Sequence, residues 1–122
     1  MKTRTGSFPI GFRQSWWAWQ KDLAGLIGWA QESGFEVIDP GRDGNKTGQP
    51  IIDAGLRIGS VDLPEWEGMI SADKAKRADA LAKNADYIKT CAAYGVVNHF
   101  IVMLPENPAL PRRENFGYMV DR

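Results

Sequence analysis

Apolar residues recur along the chain in two periods, and a glycine marks each passage from the longer period to the shorter. Gly34 precedes Phe35-Glu36-Val37-Ile38-Asp39, Gly55 precedes Leu56-Arg57-Ile58-Gly59-Ser60-Val61-Asp62, and Gly95 precedes Val96 and an apolar run to Leu104. Glycine directly after a helix is the expected C-terminal cap, because it takes the left-handed conformation without a Cβ clash. A strand that starts at once after such a cap is the αβ junction of a parallel α/β protein.

The helical period predicts a first helix over Lys21–Ser33, where Leu23, Leu26, Ile27 and Ala30 form one apolar stripe. Asp22 falls in its first turn, where the helix dipole favours negative charge. A short second helix is expected over Thr47–Ala54, weakened by Gly48 and tolerating Pro50 only near its start. The third helix, Asp73–Tyr94, carries the longest stripe: Ala78, Leu81, Ala82, Ala85, Ile88 and Ala92. Ser71 or Asp73 is placed to cap it. A fourth helix begins near Arg113.

The strands are read as Phe8–Phe12, Phe35–Asp39, Leu56–Leu63 and Val97–Leu104. Apolar residues on both faces are expected of strands covered on both sides. In the third, alternation with Asp62 turned inward puts Leu56, Ile58 and Ser60 on its face. The order βαβαβαβ, followed by a helix start, makes residues 1–122 one α/β unit, with residues 1–7 expected to be disordered.

The 122 residues carry 15 basic and 15 acidic side chains, and 43% are hydrophobic. Zero net charge argues against a nucleic-acid module that rests on a basic field. No apolar run is long enough to span a bilayer, and no apolar segment follows the basic N-terminus as a secretory signal requires. A lone Cys91 cannot form an internal disulfide, which fits the reducing cytoplasm.

Two architectures fit the element order, and the loop after the first strand separates them. A doubly wound nucleotide binder needs a glycine- or hydroxyl-rich phosphate loop there. The chain has Arg13-Gln14-Ser15-Trp16-Trp17-Ala18-Trp19-Gln20 instead, with three tryptophans and no glycine. A response-regulator variant needs clustered acids where Arg13 stands. A partial (β/α) TIM barrel, a half-barrel of about four parallel strands with interleaved helices, is therefore preferred.

Ile10-Gly11-Phe12-Arg13 and Gly34-Phe35-Glu36-Val37-Ile38-Asp39, then Ala54-Gly55-Leu56 and Val61-Asp62-Leu63-Pro64, resemble the opening of the sugar phosphate isomerase/epimerase family, the xylose isomerase-like TIM barrels. The resemblance runs from about Ile10 to Tyr118 and covers only the N-terminal half of that family's length. It implies proton transfer next to a sugar carbonyl, with inosose dehydratases and endonuclease IV-like enzymes as relatives. It also implies a divalent metal (Mn, Mg, Zn or Co), bound by Glu, Asp, His and Glu from later strands, which polarises the carbonyl. The only histidine, His99, stands near the start of the fourth strand, so this chain is not expected to assemble that site or to act as a catalyst alone.

Active sites of (β/α)-barrels lie at the C-terminal ends of the strands. That rule selects Arg13, Trp16, Trp17 and Trp19 after strand one, and Asp39 and Arg42 after strand two. It adds Asp62 and Trp66 after strand three, and Glu106 and Asn107 after strand four. Arg13, Trp16, Trp17, Asp39, Asp62, Trp66 and Glu106 form the candidate substrate-binding set. Tryptophans can wall a sugar's C–H face, or simply close one end of a barrel. The carboxylates can accept sugar hydroxyls, although Asp39 before Pro40-Gly41 equally suits a turn. Arg13 and Arg42 suit a phosphate or carboxylate. Cys91 and His99 read as structural. The expected partners are a small sugar or polyol and, through unpaired strands at the sheet edges, a second copy of the chain. A non-catalytic half-barrel that binds a polyol or self-associates is the alternative.

Overall fold

The computed structural model describes residues 8–121, so the expectation for residues 1–7 lies outside the described residues. The protein is a mixed α/β structure with small parallel sheets. The strands are β1 (Gly11–Arg13), β2 (Val37–Asp39), β3 (Arg57–Ile58), β4 (Val61–Asp62) and β5 (His99–Phe100). The helices are α1 (Leu23–Glu32), α2 (Gly44–Asp53), α3 (Lys74–Ala92) and α4 (Arg112–Val120). The chain divides into two compact units: one runs to Asp62 and adds Thr90–Phe100, and the other joins Leu63–Lys89 to the segment from Ile101 onward.

The first unit holds both sheets. Its three-stranded sheet has the order β1-β2-β3, all parallel, with Gly11, Phe12 and Arg13 beside Val37, Ile38 and Asp39. Val37 and Ile38 in turn pair with Arg57 and Ile58. β4 and β5 form a second parallel pair, Val61 beside His99 and Asp62 beside Phe100.

Glycine caps lead into the strands as the pattern predicts. Gly34, Gly55 and Gly95 have φ of 77°, 78° and 78°. At each, the glycine N–H and the next N–H reach back to close the last turn. Gly34 donates to the carbonyl of Gln31 (3.1 Å) and Phe35 to that of Ala30 (2.9 Å), and the same bonds recur at Gly55–Leu56 and Gly95–Val96. Asp22 is the N-cap of α1, accepting from the Gly25 N–H at 3.2 Å, rather than a first-turn residue.

Leu26, Ile27 and Ala30 of α1, Ile51 of α2, and Leu56, Ile38, Ile58 and Val61 make the buried core of this unit. Beside it, Trp29 packs edge-on to Phe12 and Trp19, with ring centroids 5.2 and 5.3 Å apart. Trp19 thus packs on Trp29 with one edge and leaves 51% of its surface exposed.

α2 begins three residues earlier than expected, which leaves Pro50 inside it. The proline forfeits one N–H···O bond there. Gly48 belongs to the helix for a packing reason: a Cβ at this position would lie 2.3 Å from the Tyr94 ring.

The third expected strand is broken at Gly59–Ser60 into β3 and β4. The break shifts the alternation: Ile58 and Val61, three residues apart, are both buried, while Asp62 meets Arg13 on the face that carries Gly59 and Asp39. Ile58 and Asp62 therefore do not share a face. Of the expected Val97–Leu104 strand, only His99–Phe100 is paired.

The second unit contains most of α3, α4 and a single helical turn at Gly68–Ile70. Asp73 caps α3, its Oδ1 accepting from the N–H of Ala75 at 2.8 Å. The buried face of α3 is Ala80, Asn84, Tyr87 and Cys91. The expected stripe is turned away: Ala78, Leu81, Ala82, Ile88 and Ala92 are exposed. Arg77 binds the carbonyl of Ser71 at 2.6 Å and pairs with Asp121 just beyond α4. Among the described residues no helix is long and apolar enough to cross a membrane.

Candidate functional site

Strand register decides which side chains meet in the first unit. Gly11, Val37 and Arg57 form one row across the three-stranded sheet, and Arg13 and Asp39 pair in the next row, which Gly59 extends. A Cβ on Gly11 or Gly59 would collide with Val37, at 2.6 and 2.7 Å, so both rows lie on one face. Phe12, Ile38 and Ile58 point the other way, toward the core. The face with the charged residues is the open one, with Gly11, Arg13 and Arg57 all exposed.

Arg13, Asp39 and Asp62 are each the last residue of their strand. Arg13 grips Asp62 with both terminal nitrogens, Nη1 donating to Oδ1 at 2.8 Å and Nη2 to Oδ2. This fork-to-fork pairing ties β1 to β4 across 49 residues of sequence. The hydrogen bond to Asp62 raises the guanidinium pKa above its ordinary value. The ring of Phe100, the last residue of β5, lies 6.0 Å from the Arg13 guanidinium carbon. Asp39 Oδ1 accepts the backbone N–H of Ser60 at 2.8 Å. This bond braces the Gly59–Ser60 break between β3 and β4. A shallow cavity of about 460 Å³ follows this face, lined by Arg13, Asp39, Gly59 and Ser60 among others.

Trp66 and Glu106 belong to the second unit, where they line one cavity of about 520 Å³ with Glu65, Glu67, Lys76 and Asp79. Glu106 accepts from the buried Ser71 hydroxyl at 2.5 Å and pairs with Lys76 Nζ at 2.9 Å. The Ser71 bond, then the Lys76 bond, holds its carboxyl below the usual carboxylate range. The loop bearing Trp66 is fixed by Asn84, which is 2% exposed. Its amide accepts from the Glu65 N–H and donates to the Glu65 carbonyl, both at 3.1 Å.

The structure therefore brings Arg13, Asp39 and Asp62 together, and Trp66 with Glu106. Trp16 and Trp17 are 88% and 66% exposed on the segment leaving β1. Arg42 is exposed, and Asn107 closes a local turn by accepting from the Ala109 N–H at 3.0 Å. No family model, curated protein or solved structure matches the chain.

Phe100, Ser60 and Lys76 were not selected from sequence. Phe100 would follow from the strand-end rule had the last strand been ended there and not at Leu104. Ser60 contributes a backbone N–H, which no residue type announces. Among the described residues no three His, Cys, Asp or Glu side chains group as a metal site needs.

Proposed function

We propose that this chain forms the opening βα units of a sugar isomerase/epimerase-like barrel, and that Arg13, Asp39 and Asp62 bind a sugar or polyol at the strand ends. The observation that carries the reading is the clustering of strand-terminal charged side chains on parallel strands taken in chain order. A flavodoxin-type domain would set β1 between β2 and β3. Here β2 lies in the middle, and β5, the strand after α3, pairs with β4 and not with β1, the chain-order winding of a barrel.

The chemistry suits a polyhydroxylated ligand. Carboxylates accept hydroxyl hydrogen bonds, a charge-balanced guanidinium donates them, and the Phe100 ring offers an apolar surface to C–H groups. Nothing in the cluster activates a nucleophile or pairs a general base with a reacting proton, so its role is binding and orientation. Cytoplasmic location and inactivity of the 122-residue chain alone belong to the same reading.

The test is a titration of the isotope-labelled protein with aldoses, ketoses and their phosphates, followed by amide NMR. Shifts should centre on Arg13, Gln14, Asp39, Ser60 and Asp62. Asp39→Asn should weaken them about tenfold, the loss of one charge-assisted hydrogen bond. No shift with any sugar, or shifts elsewhere only, would sink the assignment.

A further inference from the structure

We propose that the open face of the β1-β2-β3 sheet is a self-complementary interface that a second copy of this chain covers. The inference rests on the half-barrel reading and names the partner of the same site.

Parallel sheets are ordinarily covered on both faces, because their crossover connections place helices there. Among the described residues this sheet is covered on one. Phe12, Ile38 and Ile58 turn toward the core, while on the other face Gly11, Arg13 and Arg57 are exposed and Val37, Asp39 and Gly59 half-buried.

Charge selects the occupant. The face carries Arg13 and Arg57 against Asp39 and Asp62, and so has no net charge. Arg13 and Asp62 neutralise one another within the chain, which leaves Arg57 and Asp39 as the opposed pair on neighbouring strands. A two-fold axis between two such sheets sets each Arg57 against the partner's Asp39 and each Asp39 against the partner's Arg57. A basic or an acidic partner would meet a like charge at one of these positions. A second copy satisfies both, as isologous contacts do. Apolar anchors lie on the same unit. Phe100, 51% exposed, stacks beside Arg13, and Trp16 and Trp17 follow β1. Aromatic residues of this kind supply the buried centre of an interface.

Analytical ultracentrifugation of the whole chain tests the proposal. The protein should sediment as a dimer whose dissociation constant rises with salt. Arg57→Asp makes the face acidic, and Asp39→Arg makes it basic. Each variant alone should dimerise at least about tenfold more weakly, the scale on which close interfacial charges act. An equimolar mixture should recover a heterodimer. Circular dichroism checks that both variants fold, and Arg57→Ala serves in place of either that does not. A monomeric wild-type protein, or variants that dimerise normally, would overturn the interface. Because the interface covers Asp39, the sugar titration is run on the Arg57→Asp variant, whose weaker dimer frees the site: a wild-type monomer removes only the interface, and a monomeric variant that binds no sugar removes only the sugar reading.

Discussion

A methyl group added at Gly59 would stand 2.5 Å from Asp39 Oδ1 and 2.7 Å from Val37 Cγ1. The glycine is therefore a condition for Asp39 to reach the Ser60 N–H, and its replacement must push the carboxylate or the strand aside. Gly59→Ala is expected to cost about 1–3 kcal/mol, the range for forced overpacking. Gly28 is the control. It lies inside α1 with nothing within 4 Å of its absent Cβ, so Gly28→Ala should gain up to about 1 kcal/mol from helix propensity. Urea midpoints at constant slope measure both. A neutral Gly59→Ala would mean that Asp39 is held less tightly than its hydrogen bond indicates. At this scale the sequence was legible where one side chain carries the signal. A charge at the end of an apolar run identified Arg13, Asp39 and Asp62. It was illegible where the partner is a backbone N–H or a missing methyl, because Ser60 and Gly59 act through groups that every residue, or none, possesses.

Helix α3 shows what decides a buried face when a helix is rich in alanine. Ala78, Leu81, Ala82, Ala85, Ile88 and Ala92 satisfy the helical period, yet the buried set is Ala80, Asn84, Tyr87 and Cys91, at spacings of four, three and four. Both stripes have the right geometry. Reading polarity alone discards the true one, because Asn84 looks like a solvent residue. It is buried because its amide pairs with both backbone groups of Glu65, at a cost in desolvation that those bonds offset. Three substitutions separate the faces. Leu81→Ala should change stability by no more than about 0.5 kcal/mol, as exposed positions do. Tyr87→Ala should cost about 3 kcal/mol or more, as for other large buried rings. Asn84→Ala strands the Glu65 N–H and carbonyl and should cost about 1–3 kcal/mol. Thermal unfolding of the three variants ranks them, and a Leu81→Ala loss larger than that of Tyr87→Ala would contradict the observed orientation. The first three helices were legible within a few residues of their ends, and the fourth within one residue of its start, because caps and periodicity are local.

Over the whole molecule the order of elements and the glycine-led entry into strands follow from local signals, whereas strand extents do not. Hydrogen bonding to a neighbour decides where a strand stops, so a continuous apolar run such as Val97–Leu104 keeps only His99–Phe100 in a ladder. The same non-local logic governs metal affinity. A divalent ion needs several donors that converge with their lone pairs free. The chain has one histidine, whose Nε2 is buried without a hydrogen-bond partner, and one cysteine, which is buried. The clustered carboxylates are already engaged: Asp62 by Arg13, Asp39 by the Ser60 N–H, and Glu106 by Ser71 and Lys76. An incoming Mn²⁺ or Zn²⁺ must compete with a guanidinium, an amide or an ammonium for these carboxylates, and among the described residues no three such side chains group around one point. Calorimetric titration with either ion should therefore show only weak, non-stoichiometric heats. Micromolar binding at one ion per chain would mean that these ion pairs open readily and that donors converge in a way the folded cluster does not display.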